Sequence, residues 1–88
     1  MATYLLETYV PRGRAAGLAR AAEAARRAAL LACSEGRHVQ LVRSTFLPTD
    51  EVALLVFEAV SADVVGEIAR RAGLRYERIV EAVERPMP

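Results

Sequence analysis

Two stretches of helical period, residues 14–35 and 61–73, are flanked and separated by runs rich in β-branched and aromatic residues, and that order leaves few folds open. Residues 3–10 (T-Y-L-L-E-T-Y-V) read as a strand, which Pro11 and Gly13 end. In residues 14–35, Leu18, Ala22, Ala25, Ala29 and Ala32 recur at helical spacing, while Arg20, Glu23 and Arg27 fall on another side. Small side chains on the inner stripe let this helix lie close to whatever it covers, with Leu30 and Leu31 expected to fill space near its end. Glu23 and Arg27 form a favourable i,i+4 pair, and Gly36 suits the position just past a helix C-terminus.

Residues 38–46 and 51–59 are both strand-like and are separated by L-P-T-D, a turn by its Pro and Asp, so an antiparallel hairpin is expected. Ser61 is a good N-cap and Asp63 places a carboxylate in the first turn of a second helix. Val64, Val65, Ile68, Ala69 and Ala72 supply its apolar stripe, with Glu67 and Arg71 paired outside. Gly73 and Leu74 have the form of a helix-ending glycine with its hydrophobic contact. Residues 76–83 alternate as a fourth strand, although their Arg and Glu content also suits a helix. Strand, helix, strand, strand, helix, strand with short connections has one common solution: an α+β, ferredoxin-like domain, four antiparallel strands with both helices on one face. It is expected to span residues 1–84, with 85–88 as a loose tail.

A chain of 88 residues buries a limited share of its surface alone, so a partner is expected. The uncovered sheet face points the same way: carrying Leu and Val, it is expected to be buried by a second copy, by a ligand, or by both. Twelve basic residues, every one Arg, nearly balance 11 acidic ones, which gives no electrostatic case for nucleic acid. The third strand also has neither the glycine nor the basic residue that accompany the aromatics of an RNA-recognition module. No run approaches the roughly 18 apolar residues of a membrane span, and residues 1–7 lack a basic leader, so a cytoplasmic protein is expected. A lone Cys33 forms no intrachain disulfide, and no Cys-x-x-Cys spacing offers a zinc or copper site. Cys33 and His38 lack the third group that an activated nucleophile requires, and are expected to be a buried thiol and a solvent-facing imidazole.

A turn centred near Pro48 and Thr49 sets Leu41 opposite Val56 and Arg43 opposite Leu54, sharing a face with Val39 and Glu58. On the first strand Leu5, Glu7 and Tyr9 form one set. If that set lies on the uncovered face, Glu7, Arg43 and Glu58 converge there among aliphatic neighbours. The pocket candidates are therefore Glu7, Tyr9, Leu41, Arg43, Leu54 and Glu58. The three charges also read as a rim, paired with each other or across a dimer interface. P-R-G-R at residues 11–14 reads either as an anion site or as a solvated turn.

Y-L-L-E-T-Y-V-P at the start, V-x-L-V-x-S in the second strand, V-F-E-A in the third, and S-A-D before a helix closing on R-R-A-G-L together resemble a family of small actinobacterial domains of unknown function. Tyr4, Leu5, Glu7, Pro11, Ser44 and residues 56–59 match best. The family includes a nickel-binding protein with a dimeric ferredoxin-like fold. Where the family carries Trp and His in its second strand this chain has Leu41 and Arg43, and a guanidinium offers no free lone pair to a metal.

Three functions follow as expectations. The first is a homodimeric small-molecule-binding or accessory protein without a cofactor. The second binds Ni²⁺ or another divalent metal through Glu7, Glu58 and His38. The third is a small cofactor-free dimeric α+β barrel enzyme of monooxygenase, isomerase or cyclase type, with Glu7 or Glu58 as base and Arg43 holding an anionic substrate.

Overall fold

A computed structural model describes residues 1–87. The chain runs β1 (Ala2–Tyr9), a 3-10 turn (Arg12–Arg14), α1 (Ala16–Ser34), β2 (Val39–Leu47), β3 (Val52–Ala59), α2 (Ala62–Arg71) and β4 (Arg78–Ala82). The strands form one antiparallel sheet in the order β2-β3-β1-β4. Both helices pack on one face and touch each other, which is the ferredoxin-like arrangement. Residues 83–87 carry no regular structure, and Pro88, the last residue of the expected tail, lies outside the described residues.

Alternation along the strands divides the sheet cleanly. Leu6, Ala53, Leu55, Phe57 and Ala59 point towards the helices and are fully buried, meeting Val65 and Ile68 of α2. Ala25, Ala29 and Ala32 bring α1 down against the sheet as their stripe predicts. Ala25 has no exposed surface. An Ala25→Leu chain is therefore expected to lose about 1–3 kcal/mol, because three extra carbons have no space to enter. Urea unfolding checks this, and wild-type stability in the variant would mean that α1 stands off the sheet.

Local signals place α2 well. The Ser61 hydroxyl accepts the Val64 N–H at 3.4 Å, Gly73 takes the left-handed φ of +68°, and the Leu74 N–H returns to the Ala69 carbonyl at 2.8 Å. Three details depart from expectation. The first helix begins at Ala16, since Pro11 and the 3-10 turn occupy the preceding residues. Leu30 and Leu31 do not fill the core: they lie off the alanine stripe and are 57% and 58% exposed. Cys33 is exposed rather than buried, with its thiol donating to the Val39 carbonyl at 3.2 Å.

On the outer face of α1, Arg26 hydrogen-bonds Glu23 at 2.7 and 3.0 Å. Together with charge attraction and a weaker contribution from Arg27, this lowers the Glu23 carboxyl from its ordinary 4.5 to about 2. A depressed folded-state value means that the stabilisation is present above about pH 4.5 and is lost as pH falls towards 2. Glu23→Gln is accordingly expected to flatten thermal midpoints between pH 5 and pH 2. The effect is small, as the group is solvent-exposed, and an unchanged slope would remove the ion pair from the account.

Candidate functional site

The face opposite the helices is built in rungs across the four strands. Gln40, Glu58, Thr3 and Ala82 form the first, and Arg43, Val56, Leu5 and Val80 the second. Thr45, Leu54, Glu7 and Arg78 form the third, and Leu47, Val52 and Tyr9 the fourth. Glu7, Tyr9, Arg43, Leu54 and Glu58 thus share the open face. Leu41 does not: a β-bulge between Leu41 and Arg43 inserts Val42, so Leu41 pairs with Phe57 and packs on the helix side. Val39 follows it there and is 2% exposed.

The hairpin register also differs. Arg43 faces Val56, not Leu54, and Leu41 faces Phe57, not Val56. The turn lies one residue later than the Pro and Asp suggest, because Glu51 adopts a left-handed φ of 55°. Glu51 is held there from β1's end: its carbonyl accepts the Val10 N–H at 2.7 Å, and its carboxylate accepts the Arg12 N–H at 2.8 Å and the Tyr9 hydroxyl at 3.3 Å. Sequence offers no local marker for Glu at such a position, where Gly or Asn is usual.

Glu7, Arg43 and Glu58 lie on one face without forming one centre. Glu58 sits four residues along β3 from Leu54, the partner of Glu7, a span of about 13 Å at the usual strand rise. Glu7 instead accepts from the Arg78 Nε at 2.9 Å, directly across on β4. This cross-strand pair joins residues 71 apart in sequence. Arg43 comes within 3.8 Å of Glu84, and both side chains are largely exposed, so the contact contributes little. Tyr9 stands on the last rung and is tied to Glu51.

A solvent-open concavity of about 550 Å³ occupies the Glu58 end. Val56, only 6% exposed, lies beneath Val42, Arg43 and Glu58, with Glu81 and Glu84 at the β4 edge. Of these, Val42 reaches the site only through the bulge. Among the described residues Glu58 has no ion-pair partner.

His38 precedes β2 and is exposed, beyond the first rung and far from Glu7. Among the described residues, no group of three or more His, Cys, Asp or Glu side chains is placed to hold a metal ion. The trio Glu7, Glu58 and His38 therefore does not fit a nickel ion within one chain, since a coordination sphere needs its donors within a few ångströms of one point. No helix among the described residues is long and apolar enough to cross a membrane.

The fold and this open face define a ferredoxin-like α+β domain. Among solved structures, SCO4226 from Streptomyces coelicolor A3(2) is similar to it, with a TM-score of 0.75 and 20% identity over 97% of this chain and 100% of that one. At that identity the likeness concerns the fold, and it comes from an actinobacterium, the group to which the sequence resemblance points. No protein-family model and no curated protein matches the chain.

Proposed function

We propose that this chain is a homodimeric small-molecule-binding or accessory protein in which two copies cover each other's open sheet face. The observation that carries the reading is the set of Leu5, Leu54 and Val80, partly or fully exposed on a face that neither helix covers. Leu5 and Leu54 lie on the two central strands and Arg43, Thr45 and Arg78 on the edge strands, while the central Glu7 is neutralised by Arg78, an apolar centre with a polar rim as in a protein interface. The concavity beside Glu58 supplies a place for a ligand at the edge of that contact. The reading puts the protein in the cytoplasm, where an exposed single thiol such as Cys33 stays reduced.

Sedimentation equilibrium at micromolar concentration tests the dimer, with twice the chain mass as the expected result. A stable, folded monomer under those conditions would overturn the reading. Native mass spectrometry of freshly purified protein tests the ligand, and a co-purified organic molecule released on denaturation is the expected outcome.

A further inference from the structure

A second cleft, of about 250 Å³, lies at the opposite end of β1 from the concavity. It is bounded by the end of β1, the first turns of α1 and the link from α2 to β4. Val10, Leu18, Ala21 and Leu74 give it an apolar lining, and Val10, Leu18 and Leu74 also pack against the core. The only charged residues among those lining it are Arg14 and Arg75. Neither takes part in the ion pairs of the described residues. Glu51, held against the end of β1, is engaged by the Arg12 N–H and the Tyr9 hydroxyl.

The backbone fixes this arrangement. Thr8 is buried and its hydroxyl donates to the Arg75 carbonyl at 2.7 Å. The preceding residue, Leu74, is held by its N–H bond to the Ala69 carbonyl at 2.8 Å. Gly17 lines the cleft from α1, and a Cβ there would meet no atom within 4 Å. Glycine in a helix loses stability relative to alanine, and here its missing side chain leaves the cleft wider.

We propose that this cleft binds a small hydrophobic carboxylate, its alkyl or aryl body on the Val10, Leu18 and Leu74 surface and its carboxylate between Arg14 and Arg75. Guanidinium groups match a carboxylate in charge and in planar, two-pronged geometry. A neutral apolar molecule would gain no charge attraction from either guanidinium, and a cationic one would be repelled. The P-R-G-R turn therefore contributes Arg14 to the site, while Arg12 gives only its backbone N–H to Glu51.

The test is an NMR titration of the full chain with sodium octanoate, with 1-octanol as the uncharged counterpart. Octanoate is expected to shift the amide signals of Gly17, Leu18, Gly73, Leu74 and Arg75, and to bind at least about tenfold more tightly than octanol. The double variant Arg14→Gln, Arg75→Gln, altering two exposed side chains, is expected to remove that advantage. Gly17→Leu is expected to abolish binding by filling the cleft while both guanidiniums remain. Equal affinity for octanol, unchanged octanoate binding in the double variant, or shifts confined to Leu5, Leu54 and Val80 on the open sheet face would each overturn the proposal.

Discussion

Replacing Phe57 by alanine is expected to destabilise the fold by about 3–5 kcal/mol, a large part of the roughly 5–15 kcal/mol that holds a domain together. Phe57 has no exposed surface and is the largest fully buried side chain. It lies in the centre of the sheet's helix face, with Tyr4 beside it on β1 and Leu41 on β2. Both neighbours are anchored to paired strands, so they cannot collapse into the space it leaves, and the cavity adds to the lost transfer energy. With a urea slope of about 1–2 kcal/mol per molar, the unfolding midpoint should drop by about 1.5–5 M. A change below about 1 kcal/mol would show that the core is not centred on β3.

Leu54→Lys is expected to leave the single chain folded and to dissociate the proposed dimer. Leu54 is half-buried on the open face, between Thr45 on β2 and Glu7 on β1. In one copy an ammonium at that point can extend into water on its flexible stem, so the secondary structure seen by circular dichroism should be retained. Under a second sheet the same charge would be taken out of water without a partner, as Glu7 is already bound to Arg78. A central interface position of this kind raises the dissociation constant by at least about thirtyfold. Sedimentation should therefore report a folded monomer. A variant that stays dimeric at the wild-type affinity would mean that the copies meet elsewhere, and the edge strands β2 and β4 would be the next surfaces to test.

The parts of the fold that depend on a few neighbouring residues were legible in the sequence. Ser61, Gly73 and Leu74 mark the ends of α2 through bonds that span three to five residues, and Glu67 pairs with Arg71 one turn on at 2.9 Å. Alternation assigned Leu5, Glu7 and Tyr9 to one face, and they share it. Leu30 and Leu31 show where residue type misleads: they fall between the positions set by Ala25, Ala29 and Ala32, and helical phase decides exposure. The site was harder to read because its defining relations are non-local. Arg78 is the partner of Glu7 only because β1 and β4 pair at one register, which nothing near either residue encodes. The left-handed Glu51 shifts the hairpin by one residue, and the bulge at Val42 then moves Leu41 across the sheet. The hairpin shift moves Arg43 by two residues along β3 and keeps it on its face, whereas the bulge adds one residue, and with a period of two one extra residue is a change of face.

That bulge bears on how this chain should be aligned with others and engineered. Positions 41 and 43 are two apart, a spacing that ordinarily puts two side chains side by side, yet here one faces the helices and the other the open sheet. A pair of metal ligands grafted onto 41 and 43 by spacing alone would be split by the sheet itself. Positions 43 and 58 are a rung apart on adjacent strands of the open face, and are a sounder starting pair for a designed site. In a homologue that lacks the extra residue, an alignment column at 41 would compare a core side chain with a surface one. A one-residue gap in β2 is the alignment that keeps each residue on its own side of the protein.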